Sequence, residues 1–177
     1  MNATSPFSTL VSLALKSQLM ARALPAKEDA QVYWTGLGVC LLGQRLLVPL
    51  DDITEMMRIP QVTRLPGVRS FVAGVANVRG RLMALVDLTH FLGGEASVAR
   101  SLRCVLVVEA DEHYFGFVVD ESLGMQHFLA DSFTTNVGSV DARIEPYLDG
   151  SYQVAGMVWP VLSLGRLRED PGLEKLS

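Results

Sequence analysis

The sequence has little of what catalytic and nucleic-acid-binding proteins usually display. Only 19% of its 177 residues are charged, and a net charge of −4 leaves no basic stripe for a phosphate backbone. The two cysteines, Cys40 and Cys104, stand in apolar strand-like runs and form no C-x-x-C pair, which predicts buried thiols. The three histidines lack metal-ligand spacing. We therefore expect no metal, no cofactor and no nucleic-acid partner.

Long apolar runs are also missing. The run CLLGQRLLVPL is interrupted by Gly, Gln, Arg and Pro, well short of the ~20 residues that a membrane-spanning helix needs. The N-terminus, MNATSPFSTL, lacks the positive start and the small-residue cleavage pattern of a secretory signal. These features predict a cytoplasmic protein with no direct membrane insertion.

Catalytic motifs are absent as well. There is no G-x-S-x-G nucleophile motif, and no Lys-Ser/Thr pair follows the glycines of residues 74–80 to complete a phosphate loop. Asp51-Asp52 and Asp120-Glu121 each follow a strand-like run, which is typical of turns rather than of acid pairs. We expect a protein that is not an enzyme. A small β-barrel that binds a metabolite, or serves as an enzyme subunit, remains an alternative because catalytic groups can assemble from distant residues.

Hydrophobic residues make up 49% of the chain, which is enough for a core. Residues 5–24 have the apolar stripe of an amphipathic helix that either packs on its own domain or docks elsewhere. Short strand-like runs separated by turns begin at Leu37 and predict a mostly β domain. The predicted organisation is a helix and linker, a β domain, and a tail, at residues 1–36, 37–170 and 171–177. Short helices are expected at 67–72, 88–92 and 139–147.

The two halves of the β domain are weakly similar to each other. LDDITEM (50–56) aligns with VDESLGM (119–125), and LMALVDL (82–88) aligns with VWPVLSL (158–164). The two blocks occur in the same order in both halves. This pattern predicts an internal duplication, with two similar half-barrels that share one core.

Several segments together carry a family resemblance. They are VPLDDITEM (48–56), QVTRLP (61–66), GVANVRG (74–80), LVDL (85–88), GFVVD (116–120), YLDG (147–150) and the final WPVLSL. With them, the chain from about Leu37 to Leu167 resembles the CheW-like domain, the adaptor of bacterial chemosensory arrays. The N-terminal extension is more similar to the adaptors of type IV pilus (twitching) systems, and a flagellar-type chemotaxis adaptor is the alternative.

The resemblance implies a fold and two partners. The fold is two intertwined, five-stranded, SH3-like β-barrels with few short helices and a hydrophobic groove between them. By this resemblance, the groove would grip the cytoplasmic helical tip of a methyl-accepting chemoreceptor. Another surface, whose residues the resemblance does not identify, contacts the regulatory domain of a CheA-type histidine kinase. The adaptor would be non-catalytic and associated with membrane-bound receptor arrays.

The resemblance also suggests which residues contact the receptor. Docking a helix needs an apolar floor with polar anchors at its rim. Ile53, Val75 and Val78 are candidates for the floor, and Gly74 would let a backbone approach closely.

Four further residues are candidates for the polar rim. Arg79 offers a rigid charged fork, and Gly80 permits the tight corner that points it outward. Asn77 can hold the corner by a hydrogen bond to the backbone, and Glu55 can attract a basic partner or pair with Arg79. In the alternative interpretation, Arg79 only bridges to a carboxylate of its own domain, such as Asp87.

Overall fold

The computed structural model describes residues 31–110 and 113–174. The amphipathic helix predicted at residues 5–24 lies outside them. The described residues are mostly strand, with three short α-helices. The strands are β1 (Tyr33–Leu41), β2 (Gln44–Pro49), β3 (Glu55–Arg58), β4 (Val72–Val78), β5 (Arg81–Asp87), β6 (Cys104–Ala110), β7 (His113–Val119), β8 (Glu121–Leu129), β9 (Phe133–Thr134), β10 (Leu148–Val154) and β11 (Met157–Leu162). The helices are α1 (Leu88–Phe91), α2 (Leu164–Arg168) and α3 (Pro171–Glu174). None of these helices is long and apolar enough to cross a membrane.

The strands form two sheets whose order repeats. Sheet 1 has the order β8-β1-β2-β11-β10-β9, and sheet 2 has the order β3-β6-β7-β5-β4. If the two-residue β9 is set aside, β1 to β5 of the first half correspond in order to β6, β7, β8, β10 and β11 of the second. Each sheet contains one parallel pair, β11 with β2 and β5 with β7. Each half divides its strands between the two sheets. The first half places β1 and β2 in sheet 1 and β3 to β5 in sheet 2, and the second half places β6 and β7 in sheet 2 and its later strands in sheet 1. This topology supports the predicted duplication and the intertwined barrels.

Equivalent hairpins in the two halves end in the same kind of turn. Arg79 and Gly80, between β4 and β5, have φ of 53° and 81°, and Ala155 and Gly156, between β10 and β11, have φ of 49° and 78°. Two central residues with positive φ are the mark of a type I′ turn, which suits the twist of a hairpin. The repeat therefore extends into both turns, so Ala155 is the counterpart of Arg79.

Buried residues form three clusters that follow the two sheets. One cluster, which we call the inter-sheet core, draws residues from both sheets and from the helices, among them Val39, Leu106 and Leu162. A second comes from sheet 2 alone and includes Val78 and Met83. The third comes from sheet 1 alone and consists of Leu47, Phe128, Tyr152, Trp159 and Val161. Side chains of both sheets thus pack against each other in the inter-sheet core of the described residues.

A buried polar network connects the sheets where the chain passes from β7 of sheet 2 to β8 of sheet 1. Arg103 donates from both terminal nitrogens to the two oxygens of Asp87, at 2.7 Å each, and one of these nitrogens lies 3.4 Å from Asp120. Asp120 also accepts from the Thr89 hydroxyl at 2.8 Å and from the Leu42 amide at 3.0 Å. Because Leu42 is in the β1–β2 turn with a φ of 53°, the network holds a strained turn of sheet 1 against sheet 2.

The packed β structure extends beyond both ends of residues 37–170, the range predicted for the β domain. Strand β1 begins at Tyr33, inside the segment assigned to the linker, because Tyr33 to Gly36 pair with β8 and Trp34 stacks on Tyr152 at 4.4 Å. At the other end, Leu173 of α3 is buried in the inter-sheet core, so the packed body extends into the predicted tail.

The helix expected at 88–92 is present as α1, capped by the Asp87 carboxylate, which accepts from the Thr89 and His90 amides. In place of the helix expected at 139–147 there is only a short 3-10 turn, Glu145–Tyr147. No helix forms at 67–72. The segment begins with a turn at Pro66 and Gly67, where Gly67 has a φ of 78°.

Candidate functional site

The candidate site is centred on the turn between β4 and β5, which we call the Arg79 corner: Asn77, Arg79 and Gly80 together with Glu55. The Asn77 side-chain oxygen accepts from the Gly80 amide at 2.9 Å, so Asn77 holds the corner as the sequence predicted. Asn77, Arg79 and Gly80 are exposed, and Glu55 is half-buried. A rigid turn therefore presents a guanidinium to solvent.

Arg79 is paired with Glu55 across 2.7 Å, and not with Asp87. Strands β3 and β4 lie at opposite edges of sheet 2. The ion pair joins the β4–β5 turn to β3 and so closes the barrel at this end. The Arg79 side chain nevertheless remains 76% exposed. An exposed ion pair of this kind contributes only ~0–1 kcal/mol to stability, so the charge remains free to engage a partner.

Gly74 serves its own chain rather than an incoming backbone. Its φ is 133°, and a Cβ at this position would lie against the Thr63 carbonyl oxygen, closer than real Cβ atoms approach. Thr63 and Val75 exchange two backbone hydrogen bonds of 2.8 and 2.9 Å beside it. The glycine therefore allows the segment before β4 to lie against that edge strand.

The apolar floor expected from Ile53, Val75 and Val78 is not assembled. Val78 is 7% exposed and packs in the core of sheet 2, whereas Ile53 packs against the inter-sheet core. Val75 is half-buried on the outer face of β4, because alternation along the strand directs Ala76 and Val78 inward. Only Val75 of the three lies on the same outer face as Asn77.

The structure adds apolar neighbours that the sequence analysis missed. Leu82, which pairs with Asn77 across the hairpin, is 71% exposed, and Met56, next to Glu55, is 47% exposed. Strand alternation could have identified Leu82, since Met83 and Leu85 point into the core. Arg81 differs from Arg79: it binds Glu109 at 2.7 Å and lies over the Tyr114 ring.

Burial and hydrogen bonds shift the pKa of three titratable side chains outside the Arg79 corner, Cys40, Cys104 and Asp87. Burial raises the pKa of the Cys104 thiol to about 11 and also raises the pKa of Cys40, so both thiols stay protonated at neutral pH. Burial alone would raise the pKa of Asp87, but hydrogen bonds from Arg103 and His90 outweigh it and lower that pKa. In the parts of the chain that the structure describes, no three side chains of the metal-binding types converge on a common point.

A surface cavity of about 400 Å³ lies away from the Arg79 corner, beside the β10–β11 hairpin. Its polar side chains include Arg45 and Gln44, and the Gln44 side-chain oxygen already accepts from the Asp141 amide at 3.1 Å. Its apolar side is lined by Val137, Val140, Met157, Val158, Trp159 and Pro160.

Comparison with known proteins agrees with this architecture. A family model for the CheW-like domain matches residues 35–171. The chain is 38% identical to protein PilI of Pseudomonas aeruginosa over 168 residues, 95% of this chain and 94% of the relative. It is 34% identical to protein FrzA of Myxococcus xanthus, over 77% of this chain and 82% of the relative.

A solved structure shares the fold. The crystal structure of the scaffolding protein TtCheW from Thermoanaerobacter tengcongensis superposes with a TM-score of 0.66 at 19% identity, covering 80% of this chain and 96% of that chain. The repeated five-strand order and the match of a family model over most of the chain lead to one conclusion: this chain belongs to the CheW-like domain family.

Proposed function

We propose that this protein is a non-catalytic adaptor that couples a methyl-accepting chemoreceptor to a CheA-type histidine kinase in a chemosensory array. Its membership of the CheW-like family and its similarity to a scaffolding protein of the same fold support this role. The extended similarity to PilI, through most of both chains, favours a system that controls type IV pilus twitching motility. Service to a flagellar chemotaxis system is the alternative.

The observation that carries the proposal is the positive φ of Arg79, which is 53°. A non-glycine residue with positive φ is uncommon, and such strain costs on the order of 1 kcal/mol. The counterpart hairpin closes with Ala155, so the turn itself does not require an arginine. The strained position places a guanidinium on the rim of sheet 2, where Leu82 of the same hairpin and Met56 of β3 are also exposed. An apolar surface bordered by a fixed cation fits the side of a helical receptor tip.

In this proposal the receptor contact is the outer rim of sheet 2 rather than a deep groove. Asn77, Arg79, Glu55 and Val75 border it. Ile53, Gly74, Val78 and Gly80 shape the strands and turn that support it. Because the receptor is a membrane protein, the adaptor would act at the cytoplasmic side of the array. The kinase would bind elsewhere, which leaves the Arg79 corner free for the receptor.

The proposed receptor contact is tested with two variants, Arg79→Asn and Ala155→Asn. They introduce the same residue at equivalent positions of the two hairpin turns. Asparagine tolerates positive φ better than other non-glycine residues, so both variants should be as stable as the wild type. Reconstituted arrays of receptor, kinase and adaptor are sedimented. We expect Arg79→Asn to weaken co-sedimentation with receptor by about tenfold or more, and Ala155→Asn to leave it unchanged. Equal receptor binding by Arg79→Asn and the wild type would remove the corner from the proposal.

The metabolite-binding alternative rests on the cavity beside the β10–β11 hairpin, whose volume of about 400 Å³ is within the usual range for small ligands. A thermal-shift screen of small anionic and aromatic metabolites tests it. A hit that Arg45→Ala abolishes would favour that alternative.

A further inference from the structure

The cationic residues of the body of the protein are unusual in type and placement. Every cation within residues 31–110 and 113–174 is an arginine, since the lysines are Lys16, Lys27 and Lys175. The stretch from 56 to 103 holds seven arginines against two carboxylates, Asp87 and Glu95, although the whole chain has a net charge of −4. A local excess of positive charge in an acidic protein marks a surface to which an acidic partner would be attracted.

Three of these arginines do not stabilise the described part of the chain through polar side-chain contacts. Arg58, Arg64 and Arg69 are exposed, and none of them forms an ion pair or side-chain hydrogen bond with any residue in the described ranges. By contrast, Arg79, Arg81 and Arg103 all pair with carboxylates, and Arg100 donates to the Pro60 carbonyl at 3.3 Å. Arg64 and Arg69 flank one turn, at the two ends of the loop 64–69 that leads to β4.

The loop 64–69 is preorganised. Before it, Thr63 is fixed to Val75 by two backbone hydrogen bonds, and at its end the Arg69 carbonyl accepts from the Val72 amide at 2.9 Å. Between these points Pro66 and Gly67 form a tight turn, in which Gly67 has a φ of 78°. A loop held at both ends loses little conformational entropy on binding, which favours a specific contact.

The turn also exposes two apolar side chains, Leu65 at 41% and Val68 at 40%. We propose that the loop 64–69 docks an acidic segment of a protein partner, in which carboxylates flanking an apolar residue meet Arg64 and Arg69 while that residue covers Leu65 and Val68. The planar guanidinium matches a carboxylate bidentately, which explains arginine rather than lysine. An anionic membrane is a poorer match, because juxtamembrane sites use clusters of about four to eight cations.

This docking surface is separate from the Arg79 corner, since the loop 64–69 enters β4 at Val72 and the corner leaves it after Val78. It therefore adds a contact beyond the proposed receptor site, and the two can fail independently. Variants of one should leave the other unaffected.

The probe is a labelled synthetic peptide with glutamates flanking a central leucine, and its control has glutamine in place of glutamate. Binding to the full chain is followed by fluorescence anisotropy at low and high salt, and the contacted amides are located by NMR. We expect the glutamate peptide to shift amides of residues 64–72, with an affinity that falls as salt rises. Arg64→Gln/Arg69→Gln should weaken binding by about fivefold or more.

The matched control is Arg45→Gln/Arg168→Gln, which removes two exposed arginines elsewhere and changes the net charge equally. It should bind the peptide like the wild type, and so should Arg79→Asn. Equal weakening by both double variants, or equal binding of the glutamine peptide, would overturn the proposal. So would stronger Arg64- and Arg69-dependent sedimentation with phosphatidylglycerol vesicles than with the peptide.

Discussion

Arg103 and Asp87 form a two-pronged, buried ion pair, with both contacts at 2.7 Å. Asp87 ends β5 and caps α1, while Arg103 immediately precedes β6, so the pair ties the end of the first half to the start of the second. Through Asp120 the same arginine reaches the β1–β2 turn of sheet 1. The pair is thus part of the polar network that holds the two halves of the chain together.

Removing one partner of this pair should be costly. Arg103→Met leaves the Asp87 and Asp120 carboxylates buried without their cation, and breaking a buried pair in this way costs about 3–5 kcal/mol. Urea unfolding followed by circular dichroism measures the loss. Arg81→Met, which breaks the exposed pair with Glu109, is the control and should cost no more than about 1 kcal/mol. Similar losses in the two variants would mean that the Arg103 network has no special structural role.

The stability should depend on pH through Asp87. Its pKa in the folded protein is lowered, because hydrogen bonds from Arg103 and His90 outweigh burial. The unfolded chain, with an aspartate pKa of about 3.9, then binds the proton more readily, so the contribution of Asp87 is complete above that pH and is lost as the pH falls below it. Urea unfolding from neutral to strongly acidic pH should show this loss. In Arg103→Met the acid-dependent loss should be smaller; an unchanged pH profile would contradict the assignment.

Two glycines of the GVANVRG segment should respond very differently to alanine. In Gly74→Ala the new methyl group meets the Thr63 carbonyl, and the residue keeps a φ of 133°, so we expect a loss of more than about 3 kcal/mol. In Gly80→Ala the φ of 81° is strained but the space around it is open, so about 1–2 kcal/mol is expected. Thermal unfolding of the two variants gives the comparison. If Gly74→Ala were the milder change, the close packing on Thr63 would be wrong.

Both cysteines should react slowly in the folded protein. Cys104 is 8% exposed with a pKa of about 11, and burial raises the pKa of Cys40 as well, so little thiolate is present at neutral pH. Labelling with Ellman's reagent should be slow until urea unfolds the chain, and then both thiols should react. Rapid labelling of a native thiol, located by mass spectrometry, would identify a reactive site that the structure does not predict.

Several features of the fold could be predicted from local sequence. Short apolar runs separated by turns predicted a mostly β domain, and the match of LMALVDL with VWPVLSL paired β5 with β11, which prove topologically equivalent. Asn77 was correctly expected to hold the corner, and Glu55 to be able to pair with Arg79. The prediction for Asn77 succeeded because it depends on residues close together in the chain, and the strand match succeeded because it depends on one repeated pattern.

The apolar floor could not be predicted in the same way. Val78 points into the core of sheet 2 and Ile53 packs against the inter-sheet core, although both are apolar residues near the family motif. Which face of a strand is buried depends on what covers it, and the covering strands come from distant parts of the chain. The backbone that lies against Gly74 could not be identified from the sequence for the same reason, since it is that of Thr63 in another segment of the chain.

Strand positions, the X-Gly hairpin turns and the doubled pattern follow from the amino-acid order alone, because propensity and turn geometry are properties of neighbouring residues. The pairing of strands between the halves, and the meeting of Arg103 with Asp87 and Asp120, arise only in the folded chain. These side chains come from the end of β5, the residue before β6 and the junction of β7 with β8, and they meet because the packing of the two sheets buries those parts of the chain together.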